Sequence, residues 1–118
     1  MTTNYLNMFK NLQISKEELI NKVGGNLFTV KIEKPITLYN TDVINVLKAF
    51  KLCNISLEQL LDWVNTVWFT ELFDYDDEYC DSIASVLDKL EDLDEDNREL
   101  SGEDINKYIN ALVNNKEV

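Results

Sequence analysis

Apolar residues recur in this chain with the period of an α-helix, and that period limits its fold more than any motif does. Val43, Val46, Leu47 and Phe50 form one set; Leu57, Leu60, Leu61, Val64, Val67 and Trp68 form a second. Cys80, Ile83, Val86, Leu87 and Leu90, then Ile105, Tyr108, Ile109 and Leu112, complete the series. Positions i, i+3, i+4 and i+7 share one helix face, and an apolar face has to be buried against another element. Helix starts are marked too. Ser15, Ser56 and Ser101 stand three residues ahead of Glu18, Gln59 and Asp104, so each hydroxyl can accept an N3 amide while the N3 side chain reaches back. Gly24-Gly25 then ends the second helix.

One segment breaks the period. From Leu27 to Tyr39, Phe28, Val30 and Ile32 alternate with Thr29, Lys31 and Glu33 before Pro35 interrupts. A period of two predicts a small β-hairpin or extended arm near residues 27–39. The expected fold is therefore mainly α: about six short amphipathic helices in a single bundle-like domain spanning residues 1–118. At 45% apolar residues the chain can bury one core, which excludes disorder despite its charge. A shift of 41 residues aligns Leu6, Phe9, Lys10, Ile14, Ser15, Glu17, Leu19 and Val23 with Leu47, Phe50, Lys51, Ile55, Ser56, Glu58, Leu60 and Val64. A helix, turn, capped-helix unit over residues 5–23 and 46–64 is one reading; convergence of two capped hairpins on similar residues is the other.

The opening Met1-Thr-Thr-Asn-Tyr5 lacks the basic and apolar parts of a secretory signal, and no stretch approaches the roughly 18 apolar residues of a membrane span. A cytoplasmic protein without membrane contact is expected. Cys53 and Cys80 lack CxxC spacing and sit in apolar-periodic segments, which suits two buried free thiols.

Charge is where function enters. From Leu52 to Asp88 there are nine acids and no Lys or Arg, whereas the first 51 residues carry seven Lys against four acids. The formal net charge is −11, and so one-sided a field opposes compaction while steering oppositely charged partners. The chain has no His, the commonest general base and transition-metal ligand. With no Walker loop either, an enzyme is not expected, and neither is a cofactor. Direct nucleic-acid binding is disfavoured, since phosphates need clustered bases and Arg98 is the one arginine.

Two constellations remain. Asp92, Asp94, Asp96 and Glu103 occupy positions 1, 3, 5 and 12 of an EF-hand loop between two expected helices, with Asn97 at the turn position and Glu99 at the apolar one. Such a loop would bind Ca²⁺; alternatively it is a solvated turn capped by Ser101. The stretch from Asp62 to Tyr79 interleaves Trp63, Trp68, Phe69, Phe73, Tyr75 and Tyr79 with acids. Trp68 lies on the apolar stripe, whereas Trp63 lies one residue off it, so Trp63, Tyr75 and Tyr79 are expected to be partly exposed. Rings among acids suit a basic protein partner, with Asp62, Trp63, Glu71, Asp74, Tyr75, Asp76, Asp77, Glu78, Tyr79 and Asp81 as candidate contacts. The alternative is a solvated acidic face over an ordinary core. The same carboxylates would also suit a nucleic-acid-mimicking inhibitor, and monomer and homodimer are both open.

The run from Ile36 to Val64, with Asp42-Val-Ile-Asn-Val-Leu-Lys-Ala-Phe50 followed by Ile55-Ser-Leu-Glu-Gln-Leu-Leu-Asp-Trp-Val64, resembles the opening of small acidic helical bacterial immunity proteins. These include the colicin D immunity type and those of contact-dependent or polymorphic toxin systems. The resemblance implies a cytosolic protein that binds one cognate toxin, often a basic nuclease, and blocks its active site with acidic side chains. On this chain those would be the acids from Glu71 to Asp81 with Tyr75 and Tyr79. The N-terminal unit and the Leu27 to Tyr39 segment lie outside that pattern.

Overall fold

The computed structural model describes residues 2–24, 34–70, 72–96 and 100–118. Its elements run α1 (Thr2–Lys10), α2 (Lys16–Val23), β1 (Ile36–Leu38), α3 (Asn40–Lys51), α4 (Leu57–Phe69), β2 (Phe73–Tyr75), α5 (Cys80–Asp96) and α6 (Gly102–Asn114). The mainly α architecture read from the periodicity is present, with a two-stranded sheet added. All three serine caps form. Ser15, Ser56 and Ser101 accept from the amides of Glu18, Gln59 and Asp104, each at 3.1 Å. At Ser56 the box is reciprocal, its own amide donating to Gln59 Oε1 at 2.8 Å.

The helix ends repeat at the offset of the sequence echo. After α1, Leu12 N–H donates to Phe9 O at 3.0 Å and Gln13 N–H to Met8 O at 2.8 Å; after α3, Cys53 donates to Phe50 at 3.0 Å and Asn54 to Ala49 at 2.8 Å. Both turns pass through the left-handed region, at Leu12 (φ 63) and Cys53 (φ 62), the geometry that closes a helix end on its own carbonyls. This corrects the expectation for the thiols. Both are free, but Cys53 is exposed, because the left-handed residue leaves the apolar stripe of its helix, and Cys80 at the start of α5 is half-buried.

The expected β-hairpin or extended arm near residues 27–39 can be followed only in part. Residues 27–33 lie outside those described. Among the described residues, the strand that follows them, β1, pairs in parallel with β2, placing Ile36 opposite Phe73 and Leu38 opposite Tyr75. Ile36 N–H donates to Leu72 O and Asp76 N–H to Leu38 O, both at 2.9 Å. A parallel pair needs a long crossover, which α3 and α4 supply. Ile36 and Leu38 are buried while Thr37 between them is not, as a period of two requires.

α3 packs on α6 and α4 on α5, around a core that includes Leu6, Leu19, Leu38, Leu47, Leu60, Val64, Leu87 and Leu112. Trp63 belongs to it. The indole is 1% exposed, and its Nε1 donates to Lys10 O at 3.1 Å, so the expectation of partial exposure fails. The reason is that α4 is covered on two sides. One side meets α5, and the neighbouring side receives the end of α1, which widens the buried arc beyond the stripe. Lys10 ties the same corner together. Its Nζ lies 3.4 Å from Asp42 Oδ2 and 3.4 Å from Thr37 O, and 5.8 Å from the centre of the Tyr39 ring.

Two stability tests follow from this geometry. At Cys53, glycine removes the left-handed cost of about 1 kcal/mol, whereas a β-branched residue raises it. Cys53→Gly should therefore unfold at equal or higher urea concentration than wild type, and Cys53→Val at lower. For the corner, Lys10→Met and Asp42→Asn should each cost about 2 kcal/mol, and the double variant less than their sum, because either change alone strands the other charge. A double-mutant cycle in urea reads the coupling directly.

Candidate functional site

The acid-rich candidates fall on one strand, turn and helix start. Asp74 is exposed on β2, Asp76 half-buried at its end, Asp77 and Glu78 exposed in the turn, and Asp81 exposed in the first turn of α5. The turn closes through Tyr79 N–H donating to Asp76 O at 3.0 Å. It is fastened from behind by the end of α6, where Asn115, left-handed at φ 53, donates through Nδ2 to Glu78 O at 2.8 Å. The buried Ser82 hydroxyl lies 2.9 Å from Tyr79 O and 3.1 Å from Asn115 Oδ1, and Val118 N–H donates to Ser85 Oγ at 2.8 Å. These bonds fix the backbone that carries the carboxylates, and α5 turns the positive end of its dipole toward Asp77, Glu78 and Asp81.

Rings stand beside the acids. Trp68, in the last turn of α4, stacks with Tyr75 at 6.2 Å between centroids and 6° between planes, within the range of an offset stack. Both are half-buried, as is Tyr79. The Tyr75 hydroxyl donates to Val67 O at 3.4 Å, and burial pushes its phenol above the ordinary value of 10. Pro35, Thr70 and Phe73 join Trp68, Asp74 and Tyr75 around an open groove of about 560 Å³.

The other candidates go elsewhere. Asp62, half-buried, and Trp63 line a separate cleft with Ile14, Ser15 and Glu18 at the α1–α2 turn. Glu71 lies outside the described residues. Of the EF-hand candidates, Asp92, Asp94 and Asp96 lie on α5, which runs to Asp96, and residues 97–99 lie outside those described. Asp92 instead sits with Asp88 and Glu91, ligand atoms within 4.8 Å of one another on the helix surface, and Glu103 is exposed in the first turn of α6.

Sequence reasoning placed Trp68 in the core and missed Pro35 as a wall of the groove. Nothing local signals either, since both depend on the long-range pairing of β1 with β2. Comparison with known proteins returned no matching family model, curated protein or solved structure. Among the described residues, no helix is long and apolar enough to cross a membrane.

The Tyr75 shift has a pH consequence. Its folded phenol titrates above its unfolded value of 10, so its contribution to stability is complete below that pH and declines as pH rises past it. Alkaline unfolding curves of wild type and Tyr75→Phe should converge as pH climbs beyond about 10, with the late phenol absent from the variant's ultraviolet titration.

Proposed function

We propose that this protein is a non-enzymatic acidic binding module of the cytoplasm that occludes a basic protein, in the manner of an immunity or antitoxin-type inhibitor of a nuclease toxin. The observation that carries this reading is the exposed set Asp74, Asp77, Glu78 and Asp81, held on one fixed segment beside half-buried Trp68, Tyr75 and Tyr79. Carboxylates at this density repel one another, a cost that a basic partner relieves on docking. Fixed backbone means little ordering entropy is lost when the complex forms. The rings supply the apolar contact that screened surface charges lack. The resemblance of residues 36–64 to small acidic immunity proteins is one of layout, a helix, short turn and capped helix, which α3 and α4 have.

Affinity capture from host lysate at about 50 and about 500 mM salt tests the reading, because a Debye length shrinks severalfold over that range. A single basic protein recovered near one-to-one and weakened by salt is expected. Its association rate with the D74N/D76N/D77N variant should fall about tenfold or more at low salt and match wild type at high salt, without loss of melting temperature. Unchanged kinetics at low salt would remove the electrostatic role. A captured protein that itself grips nucleic acid would make these acids a substitute for phosphates.

A further inference from the structure

The small sheet has one edge that its own chain does not use among the described residues. In a parallel ladder each strand bonds its neighbour through alternate residues. Ile36 N–H reaches Leu72 O and Asp76 N–H reaches Leu38 O, with Ile36 opposite Phe73 and Leu38 opposite Tyr75. Leu72, Asp74 and Asp76 therefore face β1, and the main-chain amides and carbonyls of Phe73 and Tyr75 point away from it. The far edge of the sheet is different. There the outward carbonyl of β1, Thr37 O, is taken by Lys10 Nζ at 3.4 Å. On the β2 side, no group among the described residues takes those of Phe73 or Tyr75. Phe73 is 5% exposed, and main-chain polar groups shielded from water need partners. Two strands alone are also marginal, so a third would stabilise the pair.

The side chains of β2 say what kind of strand fits. Phe73 and Tyr75 lie on one face, where they border the groove of about 560 Å³ with Trp68, and the exposed Asp74 lies on the other. A strand added at this edge presents alternate residues to the two faces, each beside its cross-strand neighbour. We infer that β2 accepts an extended segment of the basic partner in which Lys or Arg alternates with apolar residues. Its main chain bonds to Phe73 and Tyr75, its apolar side chains meet the rings, and its basic side chains lie across from Asp74. This rests on the protein-binding role proposed above and names the form of the partner.

The test is an NMR titration at low salt with blocked Lys-Val-Lys-Val-Lys-Val and its block version Lys-Lys-Lys-Val-Val-Val. Two further alternating peptides are N-methylated at every valine or at every lysine. In the free protein the Tyr75 amide should exchange with solvent faster than those of Asp74 and Asp76, which face β1. The alternating peptide should bind saturably, shift the Phe73 and Tyr75 amides and slow exchange at Tyr75. One N-methylated peptide should keep its binding and the other lose about tenfold or more, because alternate amides serve only one edge of a strand. The block version should bind at least about threefold more weakly, and Asp74→Asn should weaken the alternating peptide about two- to fivefold. A Tyr75 amide already protected in the free protein overturns the proposal. So does equal binding of both N-methylated peptides and their parent, an outcome that leaves the acidic docking surface standing. Absence of binding by every peptide overturns the added strand too, while the protein-binding role is decided separately by the lysate capture.

Discussion

The bond from the Trp63 indole to the Lys10 carbonyl solves two problems that neither residue could solve alone. Lys10 ends α1, so its carbonyl is one of the last four that a helix cannot satisfy internally. Trp63 is buried and its N–H needs an acceptor. Joining them converts two desolvation costs into one hydrogen bond and fixes α1 across α4. The side chain of the same lysine reaches β1 and α3. Its ammonium complements the negative end of α1, while Asp42 complements the positive end of α3 and accepts the Tyr39 amide at 2.8 Å. Four elements thereby meet at one residue. The position of β1, and with it the strand that orients Asp74, is set from this corner.

From there the acidic segment inherits its geometry in steps. β1 pairs with β2 in parallel, β2 runs into the Asp76–Tyr79 turn, and the turn starts α5. α6 returns along α5 and clamps that turn through Asn115. The acids are therefore carried on backbone whose hydrogen bonds come from distant parts of the chain, which is why so repulsive a segment can hold one shape. The α5 dipole offsets part of the repulsion at Asp81.

What the sequence made legible is what a single helix determines. The serine caps and the stripes of α3 to α6 are local, and they formed where the spacing put them. Features that depend on a second element were not legible. Trp63 is off its stripe by one position, and its burial follows from α1 arriving at that flank. The acids of Asp92 to Asp96 mimic a Ca²⁺ loop, yet Leu90 and Leu93 continue the buried stripe of α5 through them, so the helix runs on. The alternation suggested a hairpin or extended arm, and the described partner of Ile36–Leu38 lies past two helices, where local spacing gives no signal. Of the candidate contacts, Asp74 to Asp81 were found together by sequence proximity, whereas Asp62 and Trp63 were drawn in by the same proximity and belong to another cleft.

That separation changes how the net charge should be understood. The molecule extends 38 × 29 × 23 Å, whereas exposed charges are screened beyond about 8 Å at physiological ionic strength. A docked partner therefore feels the face it touches, not the whole charge of −11. On the proposed reading, Asp62 and the α5 acids around Asp88 would contribute only to a distant field, felt most at low salt. Residence in such a complex would have to come from short-range contacts, for which the half-buried Trp68, Tyr75 and Tyr79 are the available rings. A bare acidic surface would attract many basic proteins about equally. Discrimination among them needs apolar and shape-specific contacts that the charges alone do not supply.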